Sequence, residues 1–231
     1  MGIKKGVFYG VGVGAGDPEL MTLKAVRILK ECTVIAAPQT KSGEMLALDI
    51  AKQAVDLSEK TILPLSFTME RDKVKQHAAH MKAAELIEEH LHNGRAVAML
   101  NLGDVAIYST YCYMMDIVRE RGYETMMISG VPSFCAVAAR LGISLTEMNS
   151  PLHIIPAGAV SLDTVLDMSG TKVLMKSGKQ AEQVVRALRD KNMLDKAAMV
   201  QNCGLPDEIV SMDMSSLNHA VGYFSTIIVK E

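Results

Sequence analysis

The chain has 231 residues, is 49% hydrophobic, and carries a formal net charge of −2 at pH 7. It is an ordinary globular chain with enough apolar content for a substantial core, arranged as one large domain or two small ones. The two charge signs are interspersed, which gives no electrostatic reason to expect nucleic acid or an anionic membrane as a partner; no apolar run approaches the roughly 20 residues of a membrane span, and the polar start lacks a signal-peptide core, so the expectation is a cytoplasmic protein.

The first apolar stretch, Val7 to Val11, reads as a strand and runs into GVGVGAGDPEL (Gly10 to Leu20), with glycine at 10, 12, 14 and 16. Gly10, Gly12 and Ala15 fit the G-x-G-x-x-G/A spacing of a dinucleotide fingerprint, but its context is missing. The next strand, Thr33 to Ala37, ends without the carboxylate that holds a ribose, and Asp17 puts negative charge where phosphates would sit. The run is therefore either a tight strand-to-helix turn or a loop that lets something other than a dinucleotide come close. Further strands are expected at Thr61 to Leu65, Ala96 to Leu102 and Glu124 to Ile128, with helices at Leu20 to Glu31, Glu44 to Asp56, Asp72 to His92 and Thr110 to Arg121. In the first helix Leu20, Leu23 and Leu29 should share a face, and Asp17 or Thr22 should cap the start. This alternation predicts a mostly parallel sheet covered on both sides.

After Gly130 the rhythm changes. A helix at Ser133 to Leu141, a strand at Leu152 to Ile155, a helix at Ser161 to Asp167, a strand at Thr171 to Lys176, a helix at Lys179 to Lys191 and a strand at Ala197 to Gln201 follow one another. Two strands, Glu208 to Met212 and Tyr223 to Val229, then come with no helix between them and should run antiparallel, giving a smaller mixed sheet. The fold class is thus α/β in two domains, 1–125 and 126–231, with ligands expected at the carboxyl ends of strands and between the domains.

The strand-end segments hold the candidate chemistry. LNLGDVAIYSTY (Leu100 to Tyr111) places the Asp104 carboxylate, the Ser109 and Thr110 hydroxyls and free backbone N–H groups at the mouth of the sheet. That suits a cationic or hydroxyl-bearing ligand, although a turn role for Asp104 and an N-cap role for Ser109 explain each residue equally well. SGVPSFCAVAARLG (Ser129 to Gly142) has Gly130 and Pro132 in a turn, Ser133 as a cap, and small residues that either let a backbone or flat ring come close or simply pack tightly. VLMKSGKQ (Val173 to Gln180) and VQNCGLPDE (Val200 to Glu208) are further strand-to-loop transitions. Cys32, Cys112, Cys135 and Cys203 are far apart and form no C-x-x-C pair, so neither zinc nor a disulfide framework is expected. His77 and His80 read as a solvated helix face, and His153 as packed and hydrogen-bonded; no metal site is expected. No G-x-S-x-G, H-E-x-x-H or Walker sequence occurs.

Taken in order, GVGVGAGDPELMTLKAVRIL, LNLGDVAIYSTY, GVPSF, VQNCGLPDE and YFSTIIV (Tyr223 to Val229) resemble the successive signatures of the tetrapyrrole methylases, the S-adenosylmethionine-dependent enzymes of cobalamin and sirohaem biosynthesis. Within that family GDVAIYSTY (Gly103 to Tyr111), ILPLSFTM (Ile62 to Met69) and GVPSFCAVAARLGISL (Gly130 to Leu145) are most similar to the branch acting on carbon 20 of precorrin-2 or cobalt-factor II. The resemblance implies a homodimer of two-domain chains, with S-adenosylmethionine folded between the domains and the tetrapyrrole beside it. Carried over by position, it implies cofactor contacts from Ala15, Leu102, Gly103, Asp104, Ile107, Ser109, Thr110, Ser133, Phe134, Met175, Lys176, Cys203, Ser225 and Thr226. Gly14 and Gly16 would border the substrate, the missing side chains of the glycine run making room for the macrocycle, while Lys41, Arg71 and Lys176, by their loop positions, are the candidates to meet its carboxylates. Valine at 105 and alanine at 15 stand where many members have proline. No catalytic base is implied. Another methylase of the same fold, one for a different corrin position, a diphthine synthase or a ribosomal RNA 2'-O-methyltransferase, and a non-catalytic tetrapyrrole sensor, are the alternatives.

Overall fold

The computed structural model describes residues 6–68, 72–216 and 221–231. Its contacts divide the chain into two compact units, the first ending at Pro132 and the second beginning at Ser133.

The first unit holds β1 (Val7–Gly12), β2 (Val34–Gln39), β3 (Thr61–Ser66), β4 (Val97–Asn101) and β5 (Glu124–Ile128), in the sheet order β3-β2-β4-β1-β5. Every neighbouring pair is parallel. Parallel neighbours need crossovers, and these are α1 (Leu23–Glu31), α2 (Leu46–Ala54), α3 (Lys73–His92) and α4 (Thr110–Glu120). The α3 and α4 residues Ala84, Ile87, Leu91, Met114 and Val118 pack with Phe8, Val34, Val97 and Met99 of the sheet into one core cluster. β4 is buried along its whole length, because strands flank it and helices cover both faces.

The expected first helix is divided. Asp17 accepts the Glu19 N–H at 2.8 Å and caps a 3-10 turn at Pro18–Leu20, and Thr22 accepts the Ala25 N–H at 3.1 Å to start α1. The break shifts the buried face to Ala25, Ile28 and Leu29 and leaves Leu23, expected inside, 90% exposed.

The second unit comprises α5 (Ser133–Leu141), β6 (Leu152–Pro156), α6 (Leu162–Leu166), β7 (Thr171–Met175), α7 (Ala181–Asp190), β8 (Ala197–Gln201), β9 (Ile209–Ser211) and β10 (Ser225–Val229). Its sheet has the order β6-β7-β10-β8-β9, parallel at β6-β7 and antiparallel at every other pair. β9 and β10 are therefore not antiparallel partners as expected. Each runs antiparallel to β8 on opposite sides of it, so the two point the same way, and β10 lies between β8 and β7. The reason lies in burial: β10 is buried throughout, a pattern suited to a central strand, whereas β9 is short and half-exposed. α5 packs on β8 and β10, while α6 and α7 supply Val165, Leu166, Val184 and Leu188 to a core with Leu174, Met199, Ile227 and Val229.

Candidate active site

In a parallel sheet all carboxyl ends open on one edge, so the loops after β1, β2, β4 and β5 meet there. The loops after β1 and β4 are joined backbone to backbone. Gly14 N–H donates to the Gly103 carbonyl at 3.3 Å, Gly103 N–H donates to the Gly14 carbonyl at 2.7 Å, and Val13 N–H donates to the Asn101 carbonyl at 2.9 Å. Both glycines have positive φ, 79° and 74°, a region most side chains avoid.

The rest of the glycine run serves close packing. A Cβ at Gly12 would lie 2.6 Å from the Gly103 carbonyl oxygen and 2.6 Å from Gly130 N, and one at Gly130 would lie 2.3 Å from that same oxygen. Three loop backbones thus stack where β1, β4 and β5 end. At Gly10 the neighbour is a side chain: a Cβ there would stand 2.4 Å from the Tyr111 ring. The expectation that these missing side chains make room for a macrocycle is therefore replaced at Gly10 and Gly12, where protein fills the space.

Tyr111 is fully buried, and its hydroxyl donates toward the Phe8 carbonyl at 3.1 Å and the Met126 carbonyl at 3.0 Å, which ties α4 to β1 and β5. Burial pushes its phenol well above the usual range, so it stays a donor. Beside it, the Ser109 hydroxyl donates to Asn101 Oδ1 at 2.6 Å and accepts the Tyr111 N–H at 3.0 Å as the cap of α4. Asp104 accepts the Ala106 N–H on Oδ1 at 2.7 Å and the Gly130 N–H on Oδ2 at 2.9 Å. Each oxygen keeps acceptor capacity for a further donor.

Ala15, Leu102, Gly103, Asp104, Ile107, Ser109 and Thr110 thus lie in two adjoining loops, with Ala15 buried, Leu102 and Ile107 half-buried, and Gly14 and Gly16 beside them. Lys41 is exposed in the turn after β2, on the same edge of the sheet. Arg71 lies outside the described residues. Tyr108 holds a positive φ of 50°, a strained conformation of the kind found at ligand sites.

In the second unit the carboxyl ends of β7 and β8 meet the amino end of antiparallel β10. Thr226 pairs with both Met175 and Val200, and Ser225 pairs with Gln201. Alternation turns Met175 and Thr226 to the face that α5 covers, and Ser225 to the other. The Ser225 hydroxyl is absorbed locally, donating to the Gly222 carbonyl at 2.8 Å. Thr226 is only 6% exposed, and its hydroxyl makes no hydrogen bond to a described residue. Lys176 and Asn202, directly after β7 and β8, both have positive φ, 57° and 52°. Cys203 follows in the β8–β9 corner. Ser133 and Phe134 open α5, Ser133 half-buried and Phe134 buried.

Elsewhere His80 departs from a solvated role, stacking on Tyr113 with ring centroids 5.2 Å apart and planes 11° apart, while His77 is exposed. Burial, then the nearby His77, holds the His80 imidazole below its ordinary value. His153 Nε2 lies 3.0 Å from the Ser169 carbonyl. Among the described residues no three His, Cys, Asp or Glu side chains gather as a metal site, and no helix is long and apolar enough to cross a membrane. The sequence motifs assign no role to Asn101, Tyr111 and Glu208, and only a turn to Gly130. For Gly130 a signal was present, since glycine at three separate strand ends marks backbones that converge.

The model of the tetrapyrrole (corrin/porphyrin) methylases matches residues 7–217. A relative from Methanocaldococcus jannaschii, named probable cobalt-precorrin-2 C(20)-methyltransferase, is 34% identical over 227 residues, covering 96% of this chain and 95% of its own. A Sinorhizobium relative named precorrin-2 C(20)-methyltransferase is 28% identical and covers 99% of this chain and 96% of its own. Among solved structures, uroporphyrin-III C-methyl transferase from Thermus thermophilus complexed with S-adenyl homocysteine superposes with a TM-score of 0.72 at 19% identity, covering 98% of this chain and 92% of its own.

Proposed function

The chain belongs to the tetrapyrrole (corrin/porphyrin) methylases, and from that premise we propose that it transfers a methyl group from S-adenosylmethionine to carbon 20 of cobalt-factor II or precorrin-2 in cobalamin biosynthesis. The observation that carries this reading is the pair of relatives aligned over 96% and 99% of the chain, both named for methylation at that carbon of precorrin-2, one with cobalt and one without.

The residues fit the cofactor. A hydroxyl at Thr226 that is buried with no hydrogen-bond partner among the described residues is costly unless a ligand supplies one, and Thr226 pairs with Met175 on the neighbouring strand. Asp104 has acceptor capacity left for hydroxyl or ammonium donors, flanked by the Leu102 and Gly103 backbone. In this assignment Ala15, Ile107, Ser133, Phe134 and Cys203 supply apolar and backbone contact, Ser109 acts through the cap of α4, and Lys41 meets a substrate carboxylate. When bound, S-adenosylmethionine supplies an electrophilic methyl group on a sulfonium. The chain's own part is to fix the orientation of both partners and exclude water, because a meso carbon of a reduced tetrapyrrole is already electron-rich. The stacked loops at Gly12, Gly103 and Gly130 serve this by leaving little freedom at the strand ends.

The test incubates purified protein with S-adenosylmethionine and each tetrapyrrole in turn. One added methyl group by mass spectrometry, placed at carbon 20 by nuclear magnetic resonance, is expected with at least one substrate. Methylation at another carbon would overturn the assignment, and tight binding without transfer would favour a sensor.

A further inference from the structure

The corner between β8 and β9 is wired around one carboxylate. Glu208 Oε2 accepts the Gly204 N–H at 2.9 Å, Oε1 accepts from Arg140 at the end of α5, and the Cys203 thiol also donates to the carboxylate. At the other end of the corner, Asn202 Nδ2 donates to Asp207 at 2.6 Å, and Asn202 N–H donates to the Phe224 carbonyl at 3.0 Å, directly before β10. Asn202 meanwhile holds a left-handed φ of 52°. Within this seven-residue turn, 202–208, the side-chain bonds converge on two acidic residues of the turn itself, Asp207 and Glu208, beside the backbone bonds from Leu205 N–H to the Asn202 carbonyl and from Glu208 N–H to the Leu205 carbonyl.

We propose that Glu208, held by Arg140, is a positioning residue for cofactor binding: it fixes the corner that carries Cys203, which directly follows β8, the strand whose Val200 pairs with Thr226. The proposal rests on the reading of that end of the second sheet as a cofactor site. The pair is no general stability device, because Arg140 is 54% exposed and such a pair contributes little by itself. Its effect is local: the carboxylate joins α5 to the corner, and the Phe224 contact joins the corner to the strand that carries Thr226. Burial pushes the Glu208 carboxyl up, but the Gly204 N–H, the Arg140 guanidinium and the Cys203 thiol outweigh it and hold the group below the usual carboxylate range. Glu208 is therefore an anion wherever the enzyme works, and the corner stays set.

The experiment measures S-adenosylhomocysteine affinity by calorimetry, KM and kcat with S-adenosylmethionine, and hydrogen exchange over 202–208, for Glu208→Ala, Glu208→Gln, Arg140→Ala and Arg140→Lys. Glu208→Ala and Arg140→Ala should each weaken S-adenosylhomocysteine binding and raise KM by roughly two- to fivefold, leave kcat within about twofold, and speed exchange in the corner. Arg140→Lys, which keeps the charge, should recover most of the affinity, and Glu208→Gln, which keeps an acceptor for Gly204, should fall between. Unchanged affinity in Glu208→Ala, or a loss in kcat at constant KM, overturns the positioning role while leaving the proposed activity in place. If the unaltered protein binds no S-adenosylhomocysteine, the reading of the site fails and this proposal with it.

Discussion

Replacing Gly10 by alanine tests the reading of the glycine run most directly. A Cβ there would lie 2.4, 2.5 and 2.6 Å from three ring carbons of Tyr111, whereas carbon atoms in contact prefer about 3.5–4.0 Å. The ring would have to retreat by about 1 Å. It has nowhere to go: Tyr111 is fully buried, packs against Phe8 with ring centroids 4.9 Å apart, and its hydroxyl is bound to carbonyls of two strands. Overpacking of that kind costs about 1–3 kcal/mol. The opposite sign is expected where the ring is absent, because Gly10 lies in a strand without positive φ, and alanine in place of glycine at a compatible position stabilises by about 0.4–1 kcal/mol. Urea denaturation should therefore show Gly10→Ala destabilising in the parent chain and neutral or stabilising in a Tyr111→Ala background. Equal costs in both backgrounds would show that the ring does not set the need for glycine.

At Gly130 the obstruction is backbone, with the Gly103 oxygen 2.3 Å and the Gly12 carbonyl carbon 2.8 Å from a new Cβ. Gly130→Ala should therefore splay the three loops and weaken S-adenosylhomocysteine binding, measured by calorimetry, by about tenfold or more; unchanged affinity would place the cofactor elsewhere. Among the thiols, burial pushes Cys32 up to about 12; burial raises Cys135 as well, but Cys135 is exposed to reagent while Cys32 is buried. Iodoacetamide at pH 8 should label Cys135 first and spare Cys32 in the native protein, as read by peptide mass spectrometry. Glu208 has a folded-state pKa below its unfolded one, so the stability it contributes is present above the unfolded carboxylate range and is lost as pH falls through the folded value. Acid titration of the thermal midpoint should thus be shallower in Glu208→Gln, and an unchanged acid limb would contradict the bonding around Glu208.

Much of the fold was legible because local pattern and burial agree. The strand at Glu124 to Ile128, the helix at Ser133 to Leu141 and the strand at Ala197 to Gln201 have the expected bounds, since alternation and apolar spacing are local properties. The place of β10 was not legible: sheet order is decided by which strands can be buried together, and no neighbouring residue records that choice. The site was legible in a similar measure. Glycine spacing shows that room is needed at 10 and 12 but not what occupies it, and Tyr111 is far from both in sequence. Leu23 was misassigned because a proline at 18 and a capping threonine at 22 reset the helical phase. Glu208 looked like the last letter of a loop motif, and only the fold brings Arg140 to it.

The insertion of β10 between β7 and β8 has a consequence for how the protein is made. β6, β7, β8 and β9 all precede in sequence the strand that joins them, so until β10 is made the edges of β7 and β8 that it pairs with have no partner strand. At typical elongation rates the interval between residues 201 and 225 lasts roughly 1–5 s, long compared with hairpin formation. The first unit's sheet, complete by Ile128, can close while that wait continues. The residues 225–229 that complete the second sheet also deliver Thr226: the same late strand finishes the sheet and supplies the hydroxyl at its end.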